Sequence, residues 1–236
     1  MTTLPRIVAL VPMRHHSERI PGKNFRDLAG KPLYSYILEK LLACPEISEV
    51  VVDTDSPAIM EGIPRRFPTV RILERPETLR ADDVPMNEVL GYDVGEIQSD
   101  FYLQTHSTNP LLRQETISVA VREFTRSYPA HDSLFSVTRW QTRLWDQHFQ
   151  PVNHDPSVLI RTQDLPPIYE ENSCIYLFEG AAFRRRRNRI GERPLLFEID
   201  PFEAWDIDEP FDWSVAELLL SQRADESVRR APRGVG

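Results

Sequence analysis

Ile7-Val-Ala-Leu-Val-Pro-Met13 runs directly into Arg14-His-His-Ser17-Glu-Arg19-Ile-Pro21-Gly22-Lys23-Asn24. The first stretch reads as a short apolar strand. The second puts three cations, a hydroxyl, a glycine and an amide at its carboxyl end. In an open parallel sheet the ligand crevice lies outside the carboxyl ends of the strands. Backbone N–H groups and Arg or Lys side chains gathered there suit the oxygens of a polyphosphate. The segment lacks the glycine and lysine order of a Walker A loop, so it is not a P-loop. Taken alone it is either a phosphate-binding loop or an exposed basic turn.

Outward from this stretch, short β-branched runs alternate with helical patterns, which predicts an α/β fold with a mostly parallel sheet. Further strands are expected over residues 49–53, 69–73, 100–104, 133–140, 175–178 and 196–199. Gly30-Lys-Pro32 is expected to open a helix whose apolar face is Leu33, Ile37, Leu38, Leu41 and Leu42. Ser56-Pro57 predicts the start of a short helix that Pro64 stops. Helices are also expected over 84–97, over 114–127 with Ile117, Val121 and Phe124 on one stripe, and over 183–189 as a short basic element. A closing helix over 210–222 should turn Val215, Leu218 and Leu219 inward. Residues 141–171, with Trp145, His148, Phe149 and several prolines, read as a β-rich excursion. Residues 224–236, rich in Arg, Pro and Gly, are expected to be disordered.

The chain of 236 residues carries a net charge of −8, from 28 basic and 36 acidic residues. That balance argues against general nucleic-acid binding, where counterion release rewards a basic surface. An anionic ligand therefore needs a local cationic pocket. Cys44 and Cys174 have no metal-ligand spacing and fit reduced thiols in a cytoplasm. The first residues lack the charge and apolar length of a signal peptide. No window approaches the roughly 18 apolar residues of a membrane span. A cytoplasmic protein with neither nucleic acid nor membrane as partner is expected.

A second chemistry-bearing stretch is Asp206-Ile-Asp208-Glu-Pro-Phe-Asp212. On an extended segment residues i and i+2 face the same way, so Asp206 and Asp208 present both carboxylates to one side. Such a pair suits Mg²⁺, which takes one or two carboxylates together with substrate phosphates and water. The alternative is helix-start chemistry, with acids placed before Pro210 at the positive end of a helix.

The first loop resembles the nucleotide-binding loop of the sugar-acid cytidylyltransferases, the family of CMP-sialic acid and CMP-3-deoxy-manno-octulosonate synthetases. Their pattern is approximately Ala-Arg-x-x-Ser-Lys-x-x-Pro-x-Lys-Asn. Arg14, Ser17, Pro21, Lys23 and Asn24 match it, while Met13 and Glu18 depart. Asp206-Ile-Asp208 with Asp212 is similar to the family's late aspartate pattern, whose first two aspartates hold the metal. Val52-Asp53-Thr54-Asp55 resembles a Val-Ser-Thr-Asp strand end, or marks the start of a helix. Arg75-Pro76 with Ala81-Asp82 resembles a loop that puts Arg75 and the backbone at Asp82 near base and ribose; otherwise Arg75 is a surface ion pair. Leu103-Gln104-Thr105 resembles a strand end that turns Gln104 towards sugar hydroxyls; otherwise Gln104 is a satisfied strand-end amide. Arg161 to Tyr176 resembles Arg-Gln-Asp-Leu-Pro…Asn-Gly-x-Ile-Tyr, with Thr162 inserted and Ser173 standing where the family has glycine. That stretch makes Arg161 and Asn172 candidate substrate contacts. Glu170 stands where sialic acid enzymes carry an arginine for the sugar carboxylate, which points to a different acidic sugar, one bearing an amino group.

The resemblance spans residues 6 to about 220. It implies a three-layer, Rossmann-like fold of the nucleotide-diphospho-sugar-transferase type, one domain over residues 1–223. A small β-rich arm at 138–172 would make a homodimer and lend residues to the partner's cleft. The implied reaction joins CMP from CTP to the anomeric hydroxyl of a sialic-acid-like keto sugar acid and releases pyrophosphate, with Mg²⁺. Arg14 and Lys23 would neutralise phosphate charge, Ser17, Arg19 and Asn24 would hold the triphosphate, and Asp206 and Asp208 the metal. A nucleotidyltransferase for another nucleotide or acceptor, or a non-catalytic binding homologue, are the alternatives. His15-His16 reads as plain loop, since adjacent side chains diverge and no third ligand is at hand. Arg65-Arg66 and Arg184 to Arg187 read as solvated helix faces. The four tryptophans read as packing residues, with Trp140 and Trp145 also suited to an interface.

Overall fold

The computed structural model describes residues 5–230. In chain order the elements are β1 (Ile7–Leu10), a small hairpin of β2 (Asp27–Leu28) and β3 (Lys31–Pro32), α1 (Tyr34–Ala43), β4 (Glu49–Thr54), α2 (Pro57–Arg66), β5 (Arg71–Glu74), α3 (Met86–Glu96), β6 (Phe101–Gln104), α4 (Gln114–Ser127), β7 (Ser133–Trp140), β8 (Ile168–Glu179), α5 (Gly180–Arg186), β9 (Pro194–Glu198) and α6 (Pro210–Arg230). All four residues of β1 are buried, as expected of a strand covered on both faces. Its side chains alternate between two cores. Ile7, Ala9 and Val11 pack with α1, α2 and α4, whereas Val8 and Leu10 pack with α3 and α5. A sheet between two helical layers results, the three-layer α/β architecture.

The seven-stranded sheet has the order β5-β4-β1-β6-β8-β7-β9. Only β8 runs antiparallel to its neighbours; the pairs β1/β4, β1/β6, β4/β5 and β7/β9 are parallel. The chain moves outward from β1 through β4 to β5, then returns to the other side of β1 with β6. This reversal is the topological switch point, where α/β sheets open a crevice. Beyond β1, Val11 and Met13 donate backbone N–H bonds to Val51 and Asp53 on β4, which carries the strand as far as the basic loop.

Several boundaries differ from the sequence pattern. Lys31-Pro32 forms a hairpin strand, and the helix starts two residues later at Tyr34. Pro64 does not stop α2, which continues to Arg66; buried Ile63 holds the last turn against the core and accepts the N–H of Phe67. The basic helix runs earlier than expected, from Gly180 to Arg186. A Cβ at Gly180 would lie 2.9 Å from the Tyr102 ring, so glycine lets the helix leave β8 at once. In α6 the inward residues are Trp213 and Ala216, and Leu218 is exposed. The helix continues to Arg230 rather than ending in disorder at 224; residues 231–236 of the expected tail lie outside the described residues. The 141–167 excursion carries only one isolated bridge, Trp145 with Pro151. The β character of the arm comes instead from long β7 and β8, paired as far as Trp140 with Ile168. Among the described residues no helix is long and apolar enough to cross a membrane.

A third apolar cluster positions the site. Ile207, between the two aspartates, is fully buried with Ile20 of the basic loop, Leu28, Leu33, Tyr36, Trp213 and Ala216. One side chain thereby locks the C-terminal acidic segment to the N-terminal loop. Ile207→Ala should cost about 2–5 kcal/mol, seen as a lower midpoint in thermal unfolding. Because it loosens both carboxylates, it should also reduce any activity of the cleft more than an equally destabilising change at Leu90 on the far face.

Candidate active site

Pro21-Gly22 makes a turn in which Lys23 donates its N–H back to Ile20 at 3.1 Å. Gly22 sits at φ 66°, the left-handed region that glycine adopts without strain, and a Cβ there would strike the Phe25 ring at 2.9 Å. The turn sends Lys23 across the cleft. Its ammonium donates to the Ile207 carbonyl at 2.7 Å and pairs with Asp208 at 3.1 Å. Arg19 pairs with the same carboxylate at 3.1 Å and with Glu209 at 2.9 Å. Residues 185 positions apart in sequence thus meet directly.

The acidic segment is pinned from both sides. Ile207 donates its N–H to the Thr108 carbonyl at 2.9 Å while its own carbonyl accepts from Lys23. With Ile207 fixed, Asp206 and Asp208 both line one cleft, as the i, i+2 rule expects. Asp212 accepts the backbone N–H groups of Asp208 and Glu209 at 3.0 and 2.7 Å, so the third aspartate serves the turn. Burial raises the Asp206 carboxyl, a Thr108 hydrogen bond opposes this, and the neighbouring Asp208 charge raises it further. At Asp208 burial also acts upward, but the hydrogen bond and charge of Lys23, followed by Arg19, outweigh it and hold the carboxyl low. Asp206 Oδ1 is buried and has no hydrogen-bond partner. A buried carboxylate oxygen left bare is costly unless something binds it.

The cleft has a volume of about 380 Å³ and is lined by Arg14, His16, Ser17, Lys23, Asn24, Arg75, His106, Ser107, Ser173 and Arg189 beside the aspartate pair. Arg14 reaches Asp82 at 2.7 Å across the mouth. Asn24 braces the loop, donating to the Arg14 carbonyl at 2.8 Å and accepting from Ser107 at 2.7 Å. A second cavity of about 490 Å³, lined by Trp140, Glu170, Glu171, Asn172 and Trp205, adjoins the first and shares Ser173, Asp206 and Asp208 with it. Asn172 itself is spent on Ser136 and Thr138.

Arg161 and Arg75 are placed very differently. Arg161 is exposed on the arm, bonded to Asp164 at 2.7 Å, and lines neither cavity of its own chain. Arg75 is no surface ion pair: it is buried and donates to buried Asp53. Buried Asp93 on α3 completes this group. Burial, then the charge and hydrogen bonding of Asp53, push the Asp93 carboxyl up to about 9, so the two acids keep a proton between them. Gln104 fits the satisfied-amide reading, since its oxygen accepts from Arg189 at 2.6 Å and its nitrogen donates to the Thr105 carbonyl.

His106, Asp93 and Arg189 were not foreseen. Burial, then Arg189 and Lys23, push His106 down to about 4, which keeps it uncharged at neutral pH beside the basic loop. Arg189 stacks 3.5 Å above the Tyr176 ring. Its one sequence signal was its offset from the Arg184 to Arg187 run: Arg187 ends α5 in the left-handed region at φ 56° and turns the next residues back towards the sheet. Ser173, where the resemblance has glycine, also takes a positive φ of 59°, so the backbone conformation that favours glycine survives the substitution.

A family model described as cytidylyltransferase matches residues 8–221. The chain belongs to this family. It is 31% identical over 238 residues to the CMP-N,N'-diacetyllegionaminic acid synthase of Legionella pneumophila, covering 94% of this chain and 100% of that one. The pseudaminic acid cytidylyltransferase of Campylobacter jejuni subsp. jejuni serotype O:2 is 24% identical over 223 residues, 90% and 95% of the two chains. The N-acylneuraminate cytidylyltransferase of Oncorhynchus mykiss is 27% identical over 89% of this chain and 49% of its own. Among solved structures, a CMP:2-keto-3-deoxy-manno-octonic acid synthetase complexed with CTP superposes with a TM-score of 0.68 at 15% identity, covering 92% of this chain and 99% of that one, which shows the shared fold.

For this cytidylyltransferase the Asp53–Asp93 pair makes a pH prediction. Asp93 has its carboxyl raised in the folded state, so folded protein binds a proton that unfolded protein has released, and its stability contribution falls as pH rises from about 4 towards 9. Asp93→Asn removes that dependence. The variant's melting temperature minus the wild type's should increase between pH 5 and pH 8 in thermal unfolding; a constant difference would refute the shared proton.

Proposed function

We propose that the protein transfers CMP from CTP to the anomeric hydroxyl of a sialic-acid-like keto sugar acid and releases pyrophosphate. The observation that carries this reading is the junction of Lys23 with Asp208 at 3.1 Å, which gathers phosphate-binding cations and a carboxylate pair in one cleft. The synthases of legionaminic, pseudaminic and N-acylneuraminic acid conjugates among its relatives support the acceptor class. In the reaction the sugar hydroxyl oxygen bonds to the α-phosphorus, the bond from that phosphorus to the β-phosphate oxygen breaks, and the hydroxyl proton leaves to solvent. Such a transfer needs positioning and charge neutralisation more than covalent catalysis. Arg14 and Lys23 offset the charge that shifts to pyrophosphate, with Ser17, Arg19 and Asn24 along the triphosphate. Arg75, fixed by Asp53, and the backbone at Asp82 flank the base and ribose.

Asp206 and Asp208 fit Mg²⁺. The bare buried Oδ1 of Asp206 offers a hard donor, and Asp208 is already ionised beside Lys23. Among the described residues no cluster of three or more His, Cys, Asp or Glu is suited to a metal; two carboxylates agree with an ion that completes its shell with phosphate and water. Bound there, Mg²⁺ would supply positive charge to phosphate oxygens. Asp208→Asn should lower turnover by about 10²–10³ with an unchanged circular dichroism spectrum. Full activity of that variant at saturating Mg²⁺ would overturn the role.

The arm supports a homodimer. Trp145, Phe149, Val152, Val158 and Leu159 are all more than half exposed, Leu159 at 93%, an apolar surface suited to a second copy. Arg161, on the same arm, would then meet substrate in the partner's cleft. Leu159→Glu should convert dimer to monomer in light scattering. The two buried free thiols, Cys44 and Cys174, agree with a reducing, cytoplasmic setting. Against a different nucleotide, CTP with Mg²⁺ should raise the melting temperature more than UTP or GTP at equal concentration. Binding without pyrophosphate release across a panel of nine- and eight-carbon keto acids would instead favour a non-catalytic homologue.

A further inference from the structure

We infer that Arg189 is the residue that binds the acceptor's carboxylate. The inference rests on the sugar-acid reading above and adds the group that makes the acceptor an acid. Four Arg or Lys side chains line the cleft: Arg14, Lys23, Arg75 and Arg189. The first three already face protein carboxylates, respectively Asp82, Asp208 and Asp53. Arg189 takes part in none of the ion pairs of the described residues. It is held without being neutralised: one guanidinium N–H donates to Gln104 at 2.6 Å, and the plane lies 3.5 Å from the Tyr176 ring centre. Glu171 is the carboxylate whose charge acts on it, and that carboxylate accepts the Tyr176 hydroxyl. A partly buried guanidinium without a counter-ion is unfavourable unless an anion completes it. Its planar fork suits a carboxylate, which it can grip with two parallel hydrogen bonds.

Chemistry decides which anion. In a keto sugar acid the anomeric carbon carries both the attacking hydroxyl and the carboxylate, so the carboxylate must sit beside the reacting oxygen. That oxygen must approach the α-phosphorus next to Asp206 and Asp208. A cation is therefore needed in the same cleft, on a wall the triphosphate does not use. Arg14 and Lys23 extend from the loop after β1, and Arg75 follows β5. Arg189 instead comes from the segment after α5 and leans on Gln104 of β6 and Tyr176 of β8. Glu170 does not cancel it: its carboxylate accepts the Trp140 indole N–H at 2.6 Å and lines the neighbouring cavity instead. The cation expected near residue 170 has thus moved to position 189.

The test measures pyrophosphate release with CTP, Mg²⁺ and keto sugar acids, taking KM for each substrate. Arg189→Met keeps an unbranched apolar stem and removes the charge; Arg189→Lys keeps the charge and loses the fork. Arg189→Met should raise KM for the sugar acid by roughly 10²-fold or more and leave KM for CTP within about threefold. Arg189→Lys should fall between the two. The carboxamide analogue of the acceptor should be strongly disfavoured by the wild type and much less so by Arg189→Met. An unchanged acceptor KM in either variant overturns the assignment, as does an equal rise in KM for CTP, which would give the guanidinium to the phosphates. If Arg189→Met fails to fold, Arg189→Lys alone decides, on whether its acceptor KM rises at least tenfold. No release by the wild type with any sugar acid would instead sink the underlying activity.

Discussion

The cleft depends on one ammonium group. Lys23 is only 12% exposed, yet it spans from the loop after the first strand to the Ile207 carbonyl and the Asp208 carboxylate. Without a cation there, the neighbouring carboxylates of Asp206 and Asp208 would leave this edge of the cleft strongly negative. With it, Asp208 stays ionised and the segment around it is fixed in space. Ile207 provides the apolar half of the same junction through its contacts with Ile20 and Trp213. Charge and packing act on adjacent atoms, so the N-terminal loop and the acidic segment form a single rigid edge of the site.

On the other side of the cleft a different economy holds Arg75. A lone buried guanidinium is unstable, and Asp53 supplies its counter-charge from the end of β4. A second buried carboxyl, Asp93, would make that region too negative, and it responds by keeping its proton. The group is near neutral overall while Arg75 still borders the cleft. The aspartate at position 53, which departs from the serine of the resembling pattern, is thus built into the packing. Ser173 makes a similar point: its positive φ shows the backbone kept a shape that glycine would adopt more cheaply.

Function and stability meet most closely where these devices converge on the topological switch of the sheet. Loops leaving β1, β5 and β6 each line one crevice, which is what the strand order allows. The relatives cover nearly the whole chain, so the architecture is shared along its length. The arm departs most from regular structure and keeps its large apolar side chains in the open.

Much of this was legible in the order of residues. The buried strand Ile7–Leu10, the alternation of strands and helices, the basic loop and the paired aspartates are local patterns, and local patterns follow from periodicity and side-chain chemistry. What sequence left open was every choice made by a distant partner. Arg75 is buried rather than superficial because Asp53 and α3 close over it. Pro64 stays within its helix because Ile63 is held by the core, and α6 turns Trp213 and Ala216 inward because Ile207 waits there. Arg189 closes the short basic helix expected over 183–189, yet the left-handed turn at Arg187 carries it back over Tyr176. The sequence alone determined which chemical groups the protein has and on which elements they ride; only the tertiary structure decided which of them meet, because contacts across 185 positions are set by packing and charge rather than by neighbours along the chain.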